Sequence, residues 1–170
     1  MKSLRQLLDR MDYTCTQGDL DFNITELVYD SRKVTKDCLF VCIKGAVSNG
    51  HEFAAQAAKE GARAIVASEE ISVSSNTTVI RVKDTRYALA LLSAAYFDYP
   101  AEQLKVIGIT GTKGKTTTTY MVKSILEGAG YRVGLIGTIE TIIGETVIPS
   151  ANTTPESYLV QKYFRKMADM

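Results

Sequence analysis

The sequence contains no tryptophan, a single histidine and only three cysteines in 170 residues. The cysteines are Cys15, Cys38 and Cys42, an odd number with no Cys-x-x-Cys pair among them. This spacing argues against a disulfide framework and against a zinc site. Cys38 and Cys42 fall on an apolar run, where a cysteine is expected to be a small core residue. The lone histidine, His51, cannot form a metal cluster by itself.

The chain also lacks an excess of either charge, with 20 Lys and Arg against 19 Asp and Glu and a formal net charge of +1. Such a balance gives no long-range field for DNA, RNA or an anionic membrane, so we predict neither nucleic acid nor membrane as a partner. No apolar run is long enough to span a bilayer, and the amino end carries charges where a secretion signal would have its apolar core. We expect a cytoplasmic monomer, in which any phosphate ligand is bound by local geometry.

The apolar patterns are typical of an α/β fold with two domains, 1–100 and 101–170, separated at Tyr99-Pro100. The first domain opens with a short amphipathic helical pattern at Leu4, Leu7, Leu8 and Met11, and two more helical patterns follow among short β-type runs. We expect a small mixed sheet there. The predicted strands are 24–30, 39–43, 64–67 and 78–82.

The predicted second domain opens with a strand, a glycine-rich turn and a helix. Residues 104–109 are nearly all apolar, as a strand buried on both faces should be. A further strand at 133–136 completes a βαβ unit, which predicts a parallel sheet with its ligand site at the carboxyl end of the first strand. The side chains on the apolar face of the helix are Met121, Val122, Ile125, Leu126 and Ala129.

A last helical pattern runs from Pro155 to Met170 with no glycine, proline or polar tail after it. From this ending we expect that the chain is cut from a larger protein. About half of the second domain would then lie outside it.

The strongest motif is a phosphate-binding loop between the first strand and the helix of the second domain. Its residues are Gly111, Thr112, Lys113, Gly114, Lys115, Thr116 and Thr117. Glycines let successive backbone N–H groups point at a phosphate, and the amino end of the helix adds its dipole. We predict that Lys115 is the catalytic cation at the β- and γ-phosphates of ATP and that the Thr116 hydroxyl holds Mg²⁺. The full pattern Gly-x-x-x-x-Gly-Lys-[Ser/Thr] is not met, because Ile109 takes its first glycine position.

Several residues of this segment leave alternatives open. Lys113 either adds charge near the phosphates or is a solvated loop lysine. Thr117 is expected to supply another hydroxyl near the nucleotide, whereas Thr118 and Thr119 are better explained by packing or local backbone bonding. A chance glycine turn that contains a lysine is the alternative to a nucleotide site, and the strand–loop–helix context argues against it.

Two further polar clusters are less specific. Asn152, Thr153 and Thr154 precede Pro155, and Thr154 suits a helix N-cap with Pro155 at the first helical position. Spacing alone favours this capping role, although the same run also offers donors to an anionic substrate. Asp30-Ser31-Arg32 and the segment 44–51, each taken alone, are best explained as polar turns between strands.

Taken together and in order, these motifs resemble the Mur ligases over the whole chain. The ATP loop is shared with folylpolyglutamate synthetase, whereas the DSR element and NTTPES are more specific. The similarity is strongest to the members that add the third amino acid of the cell-wall peptide. The segments that carry the resemblance are VYDSR, DCLFVCIKG, NGHEFAAQAAKEGARAIVAS, ITGTKGKTTTTYMV and GLIGT…NTTPES.

The resemblance implies a uridine-binding domain at 1–100 and the start of a P-loop ATPase domain at 101–170. Lys113 stands where the family usually carries asparagine. The uridine end of a nucleotide sugar would be contacted by Tyr29 and Ser31, with Ala46, Val47 and Ser48 lining the same pocket. The muramyl-peptide would be held by Asn152, Thr153 and Thr154.

The reaction that the resemblance implies is a ligation dependent on ATP and Mg²⁺. ATP phosphorylates a carboxylate of UDP-N-acetylmuramyl-L-alanyl-D-glutamate, and diaminopimelate or lysine attacks the acyl phosphate to give an amide, ADP and phosphate. The family also needs a carbamylated lysine, further magnesium ligands and a third domain. None of these has a counterpart in the sequence, so we predict that this chain alone cannot catalyse the ligation.

Three other functions stay open at this point. The chain could belong to another Mur-type or folylpolyglutamate-type ligase, or be a nucleotide-binding module without catalysis. A generic P-loop NTPase is disfavoured, because no apolar run ending in aspartate follows the loop.

Overall fold

The computed structural model describes residues 1–45, 48–150 and 154–170 and divides the chain into two compact units, Met1–Tyr96 and Phe97–Met170. The division falls just before Tyr99-Pro100. The binding functions assigned to 1–100 and 101–170 stay predictions.

The first unit is built on a mixed five-stranded sheet, which confirms the predicted α/β class. Four neighbouring strands run parallel, and the fifth, at one edge, is antiparallel to them. In spatial order the strands are β2 (Thr14–Gln17), β7 (Thr78–Arg81), β6 (Ala64–Ala67), β5 (Leu39–Val41) and β4 (Leu27–Val28).

Short helices and a small ribbon complete this unit. The helices are α1 (Leu4–Leu8), α2 (Ala54–Lys59) and α3 (Thr85–Tyr96). Two residues each from β1 (Lys2–Ser3) and β3 (Asn23–Ile24) pair antiparallel. The predicted single strand at 24–30 is therefore split between β3 and β4, which lie in different sheets.

The core of the first unit lies around the two central strands. Every residue of β5 and β6 is buried, as expected for parallel strands covered on both faces. Cys38 and Cys42 are fully buried in this core beside Phe40, which confirms that they are small core residues. Burial raises the pKa of the Cys42 thiol to about 12.

The second unit combines two helices with an antiparallel three-stranded sheet, whose strands pair in chain order. The helices are α4 (Lys115–Gly128) and α5 (Ser157–Ala168). The strands are β8 (Leu135–Ile136), β9 (Glu140–Ile143) and β10 (Thr146–Pro149). A 3₁₀ turn at Pro100–Gln103 opens the unit.

The predicted buried strand at 104–109 is wrong for the described structure. No described residue pairs with this segment, and Val106 and Ile107 are 55% and 59% exposed. Because β8 pairs only with an antiparallel neighbour, the described part of the unit holds no parallel βαβ arrangement. An apolar run indicates that a segment favours burial. Whether the segment forms a strand also depends on a partner strand elsewhere in the chain. The apolar face of α4 is likewise open, with Met121 60% and Ile125 70% exposed.

Candidate functional site

The predicted phosphate loop lines a cleft of about 350 Å³ in the second unit. Its lining residues are Thr112, Lys113, Gly114, Lys115, Thr116, Thr117 and Thr138. Six of the seven predicted loop residues thus share one concave surface, and Gly111 closes the loop through a bond to Lys115. The cleft is open to solvent and is lined by two lysines, Lys113 and Lys115, which suits an anionic ligand.

Gly114 gives the loop its bend into the helix. It has a left-handed backbone with φ of +79°, and a Cβ built there would meet nothing within 4 Å. Helix α4 starts at the next residue, and no side chain caps it. The amide of Thr118 donates to the Gly114 carbonyl at 2.9 Å. The three amides before it, in the first turn of the helix, donate to no backbone carbonyl of the described residues and are available to a ligand.

Lys115 places its charge at this loop. Its ammonium donates a hydrogen bond of 2.6 Å to the carbonyl oxygen of Gly111. The side chain therefore reaches back over the turn instead of extending into solvent. A phosphate oxygen entering the cleft would be a stronger acceptor for this ammonium than a neutral carbonyl.

The threonines of the first turn divide between two roles. Thr119 donates to the Thr116 carbonyl at 2.7 Å, which is the local backbone bonding predicted for it. The hydroxyls of Thr116 and Thr117 make no hydrogen bond to a described residue. Both line the cleft, as does Lys113, whose two alternatives stay open.

The fit to a magnesium ion is partial. Within 1–45, 48–150 and 154–170, no group of three or more His, Cys, Asp or Glu side chains is placed to hold a metal ion. Thr116 can offer one hydroxyl, and phosphate-bound Mg²⁺ commonly takes its remaining ligands from phosphate and water. The donors of the loop therefore fit a metal that arrives with a nucleotide.

Thr138 is a cleft residue that the sequence analysis missed. It follows β8 after one glycine, and the Gly137 amide donates to the Glu140 carbonyl at 3.0 Å. The Tyr120 hydroxyl donates to the Glu140 carboxylate at 2.6 Å, which ties α4 to β9 beside the cleft. The sequence could have indicated Thr138 only as a polar residue near the end of a strand. Its position beside the loop depends on the contact between Tyr120 and Glu140, which the sequence pattern does not reveal.

In the first unit, Tyr29 and Ser31 lie just beyond the carboxyl end of β4. Asp30 caps a 3₁₀ turn, Ser31–Lys33, and its carboxylate accepts from the Arg32 guanidinium at 2.9 and 2.8 Å. This side-chain bond lowers the pKa of Asp30 to about 2. The Ser31 hydroxyl makes no hydrogen bond to the described part of the chain, so it is available to a ligand.

After β5, the described residues 44–45 and 48–49 form the two paired sides of a turn. Lys44 and Asn49 pair in an antiparallel bridge, and the Gly45 amide donates to the Ser48 carbonyl at 2.9 Å. Ser48 is exposed on this turn. Since β4 and β5 are parallel neighbours, their carboxyl ends lie at one edge of the sheet, where open α/β sheets bind ligands. Ala46 and Val47 lie outside the described residues.

The predicted start of the last helix needs a correction. Asn152 and Thr153 lie outside the described residues, and Thr154 is exposed. The N-cap of α5 is Glu156, whose carboxylate accepts from the Ser157 amide, so Thr154 is not the cap. The Pro155 ring was expected at the first helical position, but the extended backbone of Glu156 delays the helix until Ser157.

Two family models match the chain over most of its length. The Mur ligase family catalytic domain matches residues 23–97, and the Mur ligase middle domain matches residues 109–170. The UDP-N-acetylmuramoyl-L-alanyl-D-glutamate--2,6-diaminopimelate ligase of Clostridium perfringens (strain 13 / Type A) is 45% identical over 166 residues, which are 98% of this chain and 34% of that protein. The chain spans about a third of the length of the curated relatives that it matches.

Solved structures share the fold. A UDP-N-acetylmuramoyl-L-alanyl-D-glutamate--2,6-diaminopimelate ligase structure has a TM-score of 0.75 at 21% identity, over 99% of this chain and 34% of that chain. The MurF ligase from Thermotoga maritima in complex with ADP has a TM-score of 0.52 at 26% identity, over 82% of this chain and 28% of that chain. None of the helices in the described part of the chain has the length and apolar character to cross a membrane.

Proposed function

Because the chain belongs to the Mur ligase family, we propose that it carries the nucleotide-sugar-binding and ATP-binding parts of a cytoplasmic ligase of peptidoglycan precursor synthesis. The reaction is the addition of the third amino acid to UDP-N-acetylmuramyl-L-alanyl-D-glutamate. Diaminopimelate is favoured over lysine, because the relatives are named for it.

The observation that carries the ATP half of this proposal is the loop at the start of α4. Free amides of a helix amino end, a glycine in a left-handed conformation and the Lys115 ammonium all meet at one cleft. These are the donors that a triphosphate requires. ADP in the Thermotoga maritima structure supports a nucleotide as the ligand.

The chemistry assigned to this loop is positioning and charge stabilisation. A carboxylate becomes an acyl donor only when one of its oxygens leaves as phosphate, so the γ-phosphoryl group must be held in line with it. Lys115 and the first-turn amides orient the phosphates and balance their charge. Mg²⁺, when bound, would neutralise further phosphate charge, with the Thr116 hydroxyl as one of its ligands.

The nucleotide sugar is assigned to the first unit. Tyr29 and Ser31 are proposed to contact its uridine end, and Ala46, Val47 and Ser48 to line the same pocket. The muramyl-peptide is assigned to Asn152, Thr153 and Thr154. We propose that the chain acts as a monomer and binds these substrates without completing the ligation.

Calorimetric titration of UDP-N-acetylmuramyl-dipeptide into the chain tests the substrate half. We expect the wild type to bind and Ser31→Ala to bind about tenfold more weakly, through loss of a hydrogen bond in a substrate pocket. Ser75→Ala is the matched control, because Ser75 is exposed and precedes β7 at the opposite end of the parallel strands. No heat of binding with the folded wild type would remove the nucleotide sugar from the proposal.

A further inference from the structure

The single histidine of the chain lies at the centre of a hydrogen-bond network at the carboxyl edge of the sheet in the first unit. His51 is 8% exposed, although most residues of this edge are polar. Its Nε2 lies 3.0 Å from the backbone nitrogen of Ser68, and its Nδ1 lies 2.7 Å from Oδ1 of Asn49. Both ring nitrogens therefore have a partner.

These partners fix the proton on the ring. A backbone N–H can only donate, so Nε2 accepts from Ser68 and carries no hydrogen. Nδ1 then carries the ring hydrogen and donates to Asn49 Oδ1, which also accepts from the His51 amide at 3.2 Å. Asn49 Nδ2 in turn donates to Glu69 Oε2 at 3.1 Å. The network requires a neutral imidazole in one tautomer.

The network joins the ends of three strands. Arg81, the last residue of β7, donates to the Ser68 carbonyl at 2.9 Å and holds the residue that follows β6. Lys44, beyond β5, donates to Glu69 Oε1 at 3.3 Å. Asn49 thus receives its position from His51 and Glu69, and it pairs with Lys44 to close the turn that exposes Ser48.

The backbone is tightly packed at the base of this turn, where Gly50 lies against Ile43. A Cβ on Gly50 would lie 2.6 Å from the backbone nitrogen of Ile43, and the Gly50 amide donates to the Ile43 carbonyl at 2.9 Å. The turn is therefore held by backbone contact at its base and by Asn49 on its return side. A change at His51 acts on the turn through Asn49.

We propose that His51 is a positioning residue for the nucleotide-sugar site, which in its neutral form holds Asn49 and so sets the turn that presents Ser48 to the ligand. This inference rests on the proposed function. Protonation of Nε2 would set its N–H against the Ser68 N–H, so the hydrogen bond from the Ser68 amide would be lost and the Ser68 Oγ, 3.3 Å from Nε2, would be left as the acceptor.

The charges that face His51 come from Glu69, Lys44 and Arg81. Burial is the largest effect and lowers the pKa of His51, with Lys44 and Arg81 acting in the same direction and Glu69 opposing them. Hydrogen bonds from Asn49 and Lys44 lower the pKa of Glu69, so this carboxylate stays ionised in mild acid. His51 is therefore the member of the network that gains a charge in mild acid. Because its pKa is lowered, its ring is protonated only as pH falls below the ordinary imidazole pKa of 6.5.

The test is calorimetric titration of UDP-N-acetylmuramyl-dipeptide from about pH 7.5 to about pH 5, the range in which imidazole titrates. We expect the Kd of the wild type to rise about five- to tenfold on protonation of His51, as loss of a neutral hydrogen bond would cause. His51→Gln offers an uncharged oxygen to the Ser68 amide and should bind with a pH-independent Kd. His51→Ala should bind weakly throughout.

Nitrogen-15 NMR of the wild type gives a second, ligand-free readout, because one histidine gives one set of ring signals. We expect the Nδ1–H tautomer at neutral pH. An Nε2–H tautomer, a pH-independent wild-type Kd or a His51→Gln variant with the wild-type pH slope would each overturn the positioning role. A folded wild type that binds no nucleotide sugar at any pH would overturn the proposed substrate as well. If the wild type, His51→Gln and His51→Ala all bind equally tightly, only the positioning role is overturned.

Discussion

The Lys115 ammonium donates a hydrogen bond of 2.6 Å to the carbonyl oxygen of Gly111 across the turn that leads into α4. This contact brings the only charge of the first helical turn to the mouth of a cleft lined by the loop. A dianionic phosphate would compete well for the ammonium, because its negative charge adds a Coulomb attraction that a neutral carbonyl lacks.

Replacement of Lys115 by alanine should weaken ATP binding by about tenfold to a hundredfold, the effect of losing a hydrogen bond to a charged group. Isothermal titration calorimetry with ATP and MgCl₂ measures it. Lys123→Ala is the matched control on the same helix, because the Lys123 ammonium is paired with Glu127 at 2.6 Å. Unchanged ATP affinity in Lys115→Ala would count against the loop as the nucleotide site.

Replacement of Gly114 by alanine should lower the free energy of unfolding of the second unit by about 1 kcal/mol, the cost of a left-handed backbone for a residue with a Cβ. The space around Gly114 is open, so the backbone alone causes the loss. Gly128→Ala is the control, because Gly128 ends α4 in open space without a positive φ. It should stabilise the unit by about 0.5–1 kcal/mol. Urea unfolding followed by circular dichroism compares the two, and equal effects would contradict the left-handed assignment.

The capping pair of Asp30 and Arg32 should make the 3₁₀ turn after β4 sensitive to acid. The Asp30 pKa is lowered from 3.8 to about 2, first by the Arg32 side chain. Because the folded pKa is depressed, this stabilisation is present above pH 3.8 and is lost as pH falls toward 2. Arg32→Ala should return the Asp30 pKa toward 3.8 in a carbon-13 NMR titration.

Lys33→Ala is the comparison for that titration, since the Lys33 charge lowers the Asp30 pKa less than the Arg32 side chain does. It should raise the Asp30 pKa less than Arg32→Ala does. With Arg32 85% exposed, solvent screens the pair, so its effect on folding should be small. Equal pKa changes in the two variants would contradict the bidentate contact.

Thiol alkylation should separate the cysteines by burial. Cys15 is half-buried, whereas Cys38 and Cys42 are fully buried and burial raises the pKa of both. A native chain treated with iodoacetamide should therefore take one adduct, at Cys15, and a urea-unfolded chain should take three. Mass spectrometry of tryptic peptides reads the sites. Rapid labelling of Cys42 in the native chain would contradict its place in the core.

Local patterns predicted much of the fold of the first unit. Apolar runs at 39–43, 64–67 and 78–82 overlap β5, β6 and β7, because these strands are buried on both faces and carry little polar sequence. The split of 24–30 into β3 and β4 was not predictable in the same way. The two strands belong to different sheets, and only long-range pairing separates them.

The phosphate loop was predictable because glycine, lysine and threonine act through local backbone geometry at a helix start. The run at 104–109 was not, since the partner that a strand requires is not a property of its own residues. Thr138 and the His51 network were missed for a related reason. Their partners, Gly137–Glu140 and Ser68, are brought to them by the packing of separate elements.

A crystal of the chain soaked with a nonhydrolysable ATP analogue and Mg²⁺ tests the central claim most directly. The account predicts density for the phosphates in the cleft of residues 112–117, with the Lys115 ammonium turned from the Gly111 carbonyl to a phosphate oxygen. Nucleotide bound elsewhere on the chain, with Lys115 still on Gly111, would contradict it.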